Sequence, residues 1–230
     1  MTDKKQLPVE GLYCITGEEF SRGRSNLQVV EEMIAAGVKL IQYREKEKPP
    51  RRQYVECLAI RRLTAAAGVV FIVNDDAALA LAVAADGVHI GQDDLPLEKV
   101  RELVGEGMII GVSTHSPAQL EAAVAGGADY LGVGPLYLTH TKKDVCAPVG
   151  LAYLDYAVQH CPIPFVAIGG IKEHNLAEVA GRGARLICAV TEILAAANIR
   201  EKIFGLRAII EKGGGSHSVP ASGGAVFRTS

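Results

Sequence analysis

Eight short runs of apolar, largely β-branched residues recur along this chain, and each is followed by an amphipathic, alanine-rich segment. Parallel strands need a crossover between them, usually a helix, so this alternation specifies βα units rather than hairpins. Strands are expected at 12–16, 38–43, 70–74, 87–90, 109–113, 130–133, 165–168 and 186–190. Helices are expected at 26–36, 51–67, 77–84, 97–104, 117–125, 151–160 and 174–182, with a last one running from about 193 to 211. Ser116-Pro117 reads as an N-cap with proline in the first turn, and Gly37, Gly68, Gly126 and Gly127 stand where helices stop. Eight strand-helix units in about 200 residues fit a closed (β/α)8 TIM barrel better than an open doubly wound sheet. The recurring Ala-Ala-Gly-Val junctions support internal repetition. A dinucleotide-binding fold is excluded because no G-x-G-x-x-G follows the first strand, and Gly132-Val133-Gly134-Pro135 breaks that pattern with proline.

A chain of 230 residues with 49% hydrophobic content can bury one barrel-sized core. The barrel is expected to occupy residues 1–212. Residues 213–230, rich in glycine and serine with little apolar periodicity, are expected to be a disordered tail. Lysine plus arginine (24) nearly balances aspartate plus glutamate (26), so no basic surface points to nucleic acid, and any anion site must be local. The five cysteines are scattered and never form C-x-x-C, which argues for a reducing compartment and against structural zinc. No apolar stretch is long enough for a signal peptide or a membrane span, so a cytoplasmic soluble protein without a membrane partner is expected. The sequence is compatible with a homo-oligomer.

In this barrel type the functional face lies at the C-terminal ends of the strands. Strand two ends in Gln42-Tyr43-Arg44-Glu45-Lys46, where alternation would bring an amide and two cations, Gln42, Arg44 and Lys46, to one side. Asn74-Asp75-Asp76 follows strand three and Gly91-Gln92-Asp93-Asp94 follows strand four. Carboxylates at neighbouring strand ends suit Mg²⁺, which keeps waters and shares phosphate oxygens. One of Asp75 and Asp76 is expected to cap the next helix, leaving the other for metal. Strand five ends in Ser113-Thr114-His115, and without an acidic partner Ser113 is expected to donate to a phosphate rather than to act as a nucleophile. After strand six a long polar loop carries Thr139-His140-Thr141-Lys142. Strand seven ends in Ile168-Gly169-Gly170-Ile171, where bare backbone N–H groups could meet a phosphate, and strand eight in Val190-Thr191.

Gln42-x-Arg44-x-Lys46, Asn74-Asp75, Gly91-Gln92-x-Asp94, Gly111-x-Ser113-x-His115, Gly132-x-Gly134-Pro135 with Thr139-x-Thr141-Lys142, and Ile168-Gly169-Gly170-Ile171 stand in order at successive strand ends. Together, over about residues 10–210, they resemble the thiamine phosphate synthase family. That family joins 4-amino-2-methyl-5-hydroxymethylpyrimidine diphosphate to 4-methyl-5-(2-phosphoethyl)thiazole, two small phosphorylated substrates, and releases diphosphate. The resemblance implies that Gln42, Arg44, Lys46, Asn74, Ser113 and Lys142 hold the pyrimidine diphosphate, with Arg44, Ser113 and Lys142 closest to the chemistry. It implies Mg²⁺ on Asp75 and Asp94, and the thiazole phosphate on Thr139, Thr141, Gly170, Val190 and Thr191. Glu192, directly after Val190-Thr191, departs from the family's pattern by bringing a negative charge near a phosphate. Two other readings remain at this point. A thiazole tautomerase of the same barrel would keep the Gly169-Gly170 site but would have no use for the cations and the acidic pair. A non-catalytic sensor of phosphorylated ligands would bind without turnover.

Overall fold

The computed structural model describes residues 4–139, 141 and 146–214. The expected closed barrel forms, with eight parallel strands in sequential order: β1 (Gly11–Ile15), β2 (Leu40–Tyr43), β3 (Val70–Asn74), β4 (Gly87–Ile90), β5 (Ile109–Thr114), β6 (Tyr130–Val133), β7 (Phe165–Ile168) and β8 (Leu186–Cys188). β1 pairs with β8 through Gly11↔Leu186 and closes the sheet. A short 3-10 turn (Glu18–Phe20) and α1 (Asn26–Ala35) follow β1, and α2 (Pro50–Ala66) follows β2. Next come α3 (Ala77–Ala82), α4 (Leu97–Val104), α5 (Pro117–Ala125), α6 (Gly150–His160) and α7 (Glu173–Gly181), each after its strand.

Alternation along the strands divides the apolar residues into two cores. Cys14, Ile41, Phe71, Val88, Ile110, Leu131, Ala167 and Ile187 face outward into a shell with helix residues such as Val29, Ile60 and Leu176. Leu40, Val70, Ile72, Ile109, Val166 and Leu186 fill the barrel itself. Ser116 caps α5 ahead of Pro117 as expected, and at the start of α1 Ser25 and Gln28 form a reciprocal capping box.

One element departs from expectation. The single helix expected over 193–211 is two, α8 (Val190–Leu194) and α9 (Ile199–Gly214), and β8 stops at Cys188 so that Val190 already opens α8. Asn198 accepts from Glu201 N at 3.1 Å, offering the backbone a new helix start. Arg24 takes up the carbonyls of Leu194 and Ala196, at 2.6 and 2.8 Å, that an unbroken helix would have used itself. α9 also runs through Gly214, so the barrel unit extends two residues into the expected tail. Gly213 permits this, because a Cβ there would lie 3.2 Å from the carbonyl oxygen of Ala177 on α7. Residues 215–230 lie outside the described residues.

The N-terminal mouth is sealed by a repeated device. Asp86 accepts from Phe71 N at 2.9 Å and pairs with Lys5 and Arg61, each at 3.0 Å. Asp129 accepts from Ile110 N at 2.8 Å and pairs with Lys4 and Arg101 at 2.6 and 2.7 Å. Each carboxylate thus ties a neighbouring strand's N–H to two cations.

Candidate active site

At the opposite mouth the same inward-facing rows turn polar: Leu40 is succeeded by Gln42, Ile72 by Asn74, Gly87 by His89 and Ile109 by Gly111 and Ser113. Gln42, Arg44, Asn74, Ser113, Thr139, Thr141, Gly170, Val190 and Thr191 line a single pocket. Lys46, Asp75 and Asp94 stand outside that lining, and Lys142 lies outside the described residues.

Arg44 is braced from behind. Its N–H donates to Thr16 Oγ1 at 2.9 Å, while its guanidinium Nε is buried and has no acceptor among the described residues. An unsatisfied buried cationic donor is costly, and a ligand oxygen in the pocket would remove that cost. The exit of β2 is held by Glu45, which accepts from Glu18 N at 3.0 Å and Asn26 Nδ2 at 2.7 Å. Glu56 accepts from Tyr43 OH at 2.8 Å, Asn26 Nδ2 at 3.2 Å and Lys48 Nζ at 2.5 Å. Burial pushes the Glu56 carboxyl up, but the hydrogen bonds from Lys48, Tyr43 and Asn26 outweigh it and hold the group below its ordinary range. These groups fix the β1–α1 loop, which carries Phe20 into the pocket wall.

Asp76 caps α3 by accepting from Leu79 N at 2.8 Å, and Asp75 takes the left-handed backbone conformation (φ 63°) and meets Lys46 at 3.1 Å. Of the two candidates for the helix cap, Asp76 is therefore the one that caps. Lys46, by contrast, is directed to Asp75 instead of joining Gln42 and Arg44 in the pocket, because β2 ends at Tyr43 and strand alternation no longer holds beyond it. Asp94 Oδ2 accepts from Gly91 N at 2.7 Å. No cluster of three or more His, Cys, Asp or Glu suited to a metal occurs among the described residues. A metal shared by Asp75 and Asp94 would have no third His, Cys, Asp or Glu from among the described residues. Two hard carboxylates at adjacent strand mouths fit Mg²⁺ on those terms.

Ser113 meets a histidine, but it is His89, at 2.9 Å from Nε2 to Oγ, and not His115. His115 Nδ1 is engaged by the carbonyl of Gly134 at 2.5 Å. The other nitrogen of His89 meets Tyr130 OH at 2.9 Å, so a phenol stands where a hydrolase would place a carboxylate. Tyr130 OH lies 2.9 Å from Tyr13 OH, which accepts from Gln42 Nε2 at 2.8 Å. Burial pushes both phenols up, so they are neutral hydroxyls at any ordinary pH. Sequence reasoning missed Tyr13, Tyr130 and Thr16. A usable signal was present: a tyrosine on an inward-facing strand position needs a partner for its hydroxyl.

Across the pocket the glycine pair has a packing role. Gly169 and Gly170 have φ of 98° and 65°, and Cβ atoms there would lie 2.4 Å from Pro135 and 2.5 Å from Leu138 O. The glycines let the loop after β6 lie directly on β7, with Leu136 N and Tyr137 N donating to the carbonyls of Ile168 and Gly169 at 3.0 and 2.9 Å. Thr139 and Thr141 come together, their hydroxyls 3.0 Å apart. Glu192 is offset by Lys202 at 3.0 Å and Lys172 at 3.7 Å, and Lys172 also donates to Thr191 Oγ1 at 2.6 Å.

A family model described as thiamine monophosphate synthase matches residues 12–193. The chain is 63% identical over 201 residues to the thiamine-phosphate synthase of Pelotomaculum thermopropionicum, covering 87% of this chain and 92% of that one. It is 54% identical over 199 residues to the thiamine-phosphate synthase of Lawsonia intracellularis, covering 86% and 92%. Among solved structures, the thiamine phosphate pyrophosphorylase from Pyrococcus furiosus superposes with a TM-score of 0.80 at 34% identity, covering 88% of this chain and 96% of that one. A 3-hexulose-6-phosphate synthase, at 18% identity and a TM-score of 0.60, shares the fold alone.

Proposed function

The chain belongs to the thiamine monophosphate synthase family, and from that premise we propose how its barrel carries the reaction. It is a transferase, a thiamine-phosphate synthase, acting on small phosphorylated substrates. The pyrimidinylmethyl C–O bond breaks and its electron pair leaves with diphosphate, and the thiazole nitrogen lone pair then forms the new C–N bond to the pyrimidine carbocation. No proton has to be abstracted on this route, which accords with a pocket rich in phosphate donors and lacking a Ser-His-carboxylate triad among its described residues.

The observation that carries this reading is the buried Arg44 Nε without an acceptor among the described residues, in a pocket shared with Asn74 and Ser113. Arg44 and Ser113 bind the diphosphate and stabilise the charge that develops on it, joined from the loop after β6 by Lys142. Gln42 and Asn74 orient the pyrimidine diphosphate, and Lys46 serves the same substrate from the rim. Asp75 and Asp94 hold Mg²⁺, which supplies charge neutralisation at the leaving diphosphate when bound. Thr139, Thr141, Gly170, Val190 and Thr191 take the thiazole phosphate. A thiazole tautomerase would leave Arg44 and the two strand-mouth carboxylates without a task, and a passive sensor would bind the ligands without turning them over.

We place the protein in the cytoplasm. Five cysteines outside any disulfide support this, as does the lack, among the described residues, of any helix long and apolar enough to cross a membrane. The near balance of charge supports small anions rather than nucleic acid as its partners. The test is to mix both substrates with Mg²⁺ and protein: one diphosphate should appear for each thiamine phosphate. Isomerisation of a thiazole phosphate with no diphosphate from the pair would overturn the reading.

A further inference from the structure

The five side chains Gln42, Tyr13, Tyr130, His89 and Ser113 form an unbroken series of hydrogen bonds across the barrel interior, each between 2.8 and 2.9 Å. Each phenol has one proton to donate, and a neutral imidazole has one donor and one acceptor nitrogen. Gln42 Nε2 donates to Tyr13, which fixes the first step. If Tyr130 donated to Tyr13, the proton of the buried Tyr13 hydroxyl would have no acceptor within the series, since Gln42 Nε2 only donates to it. If Tyr13 donated to Tyr130 and His89 did so as well, the Tyr130 proton would have no acceptor in the series. With Gln42 donating through Nε2, one sense satisfies every member of the series: Tyr13 donates to Tyr130, Tyr130 to His89 Nδ1, and His89 Nε2–H to Ser113 Oγ. The Ser113 proton is then left to face the pocket.

We propose that Tyr13, Tyr130 and His89 are positioning residues that commit the Ser113 hydroxyl to act as a donor into the pocket. The inference rests on the reading above, in which Ser113 meets the pyrimidine diphosphate. It adds that the hydroxyl is preset for an acceptor atom and need not reorient as charge develops there. The barrel reserves space for this arrangement. His89, Gly111 and Tyr130 pair in register across β4, β5 and β6. A Cβ at Gly111 would lie 2.1 Å from Tyr130 Cζ and 2.5 Å from His89 Nδ1.

Imidazole ¹⁵N spectra of the full-length protein, with the His89 signals identified by their loss in His89→Gln, test the chain directly. The wild type should show His89 protonated at Nε2 and bare at Nδ1. Tyr130→Phe keeps the ring and removes the hydroxyl, so that tautomer should lose its dominance. The same variant should lower kcat/KM for the pyrimidine diphosphate roughly tenfold, the effect of one hydrogen bond, with KM for the thiazole phosphate unchanged. In a Ser113→Ala background Tyr130→Phe should have less than about a twofold further effect, since the two changes break one series. Tyr13→Phe, which is further from Ser113, should act in the same direction if Tyr130→Phe fails to fold. His89 protonated at Nδ1 in the wild type, or independent effects of Tyr130→Phe and Ser113→Ala, would overturn the proposal. The spectrum judges the chain even if no thiamine phosphate is made, so its failure and that of the functional reading are told apart.

Discussion

The two mouths of this barrel use the same residue type to opposite ends. At the N-terminal mouth, Asp86 and Asp129 each bind a backbone N–H of the neighbouring strand and two cations, so their oxygens are committed to the fold. At the C-terminal mouth, Asp94 takes one backbone N–H and Asp75 faces a half-exposed lysine. An exposed pair such as Lys46–Asp75 contributes little to stability, about 0–1 kcal/mol. The carboxylates of the N-terminal mouth tie strands and cations together, whereas those of the C-terminal mouth stand beside the pocket. The cations divide in the same way: Arg61 and Arg101 are spent on carboxylates below, while Arg44 above keeps a buried Nε without an acceptor among the described residues.

Substitutions at the two mouths should therefore separate activity from stability. Asp94→Ala should abolish metal-dependent turnover while leaving thermal unfolding close to wild type, and full activity at ordinary Mg²⁺ would break the contrast. Asp86→Ala should do the reverse. It strands a buried N–H and two cations, a loss on the order of 3–5 kcal/mol in chemical denaturation, with kinetic constants of the folded fraction unchanged. Arg44→Ala should lower kcat/KM for the pyrimidine diphosphate by roughly a hundredfold, about 2.7 kcal/mol, and affect the thiazole side less. A variant within about twofold of wild type would remove Arg44 from the site. Gly111→Ala should cost about 1–3 kcal/mol by overpacking against Tyr130 and His89, read as a lowered Tm. The smallest effect should come from Glu192→Gln, with KM for the thiazole phosphate changing less than about twofold because Lys202 and Lys172 already offset that charge.

The barrel was legible because its signal is repetitive: every strand shows apolar periodicity and most helices carry a cap or a stop. The break in the last helix was not, since it depends on Arg24, about 170 positions away, taking the carbonyls of Leu194 and Ala196. Within the site, residues on a strand or directly at its end were readable. Gln42, Asn74 and Ser113 all reach the pocket, as strand register directs. Lys46, beyond the end of β2, did not follow the alternation that holds only within the strand. The Tyr13–Tyr130–His89 series was hidden for another reason. Its members lie on β1, β6 and β4, and only closure of the barrel brings their side chains across the interior to one another.

A crystal structure of the protein with Mg²⁺ and the pyrimidine diphosphate, without the thiazole partner, tests the central assignment most directly. Diphosphate oxygens are expected within hydrogen-bond distance of Arg44 Nε and Ser113 Oγ, with the metal on Asp75 and Asp94. Diphosphate bound elsewhere, with Arg44 Nε still lacking an acceptor, would contradict it.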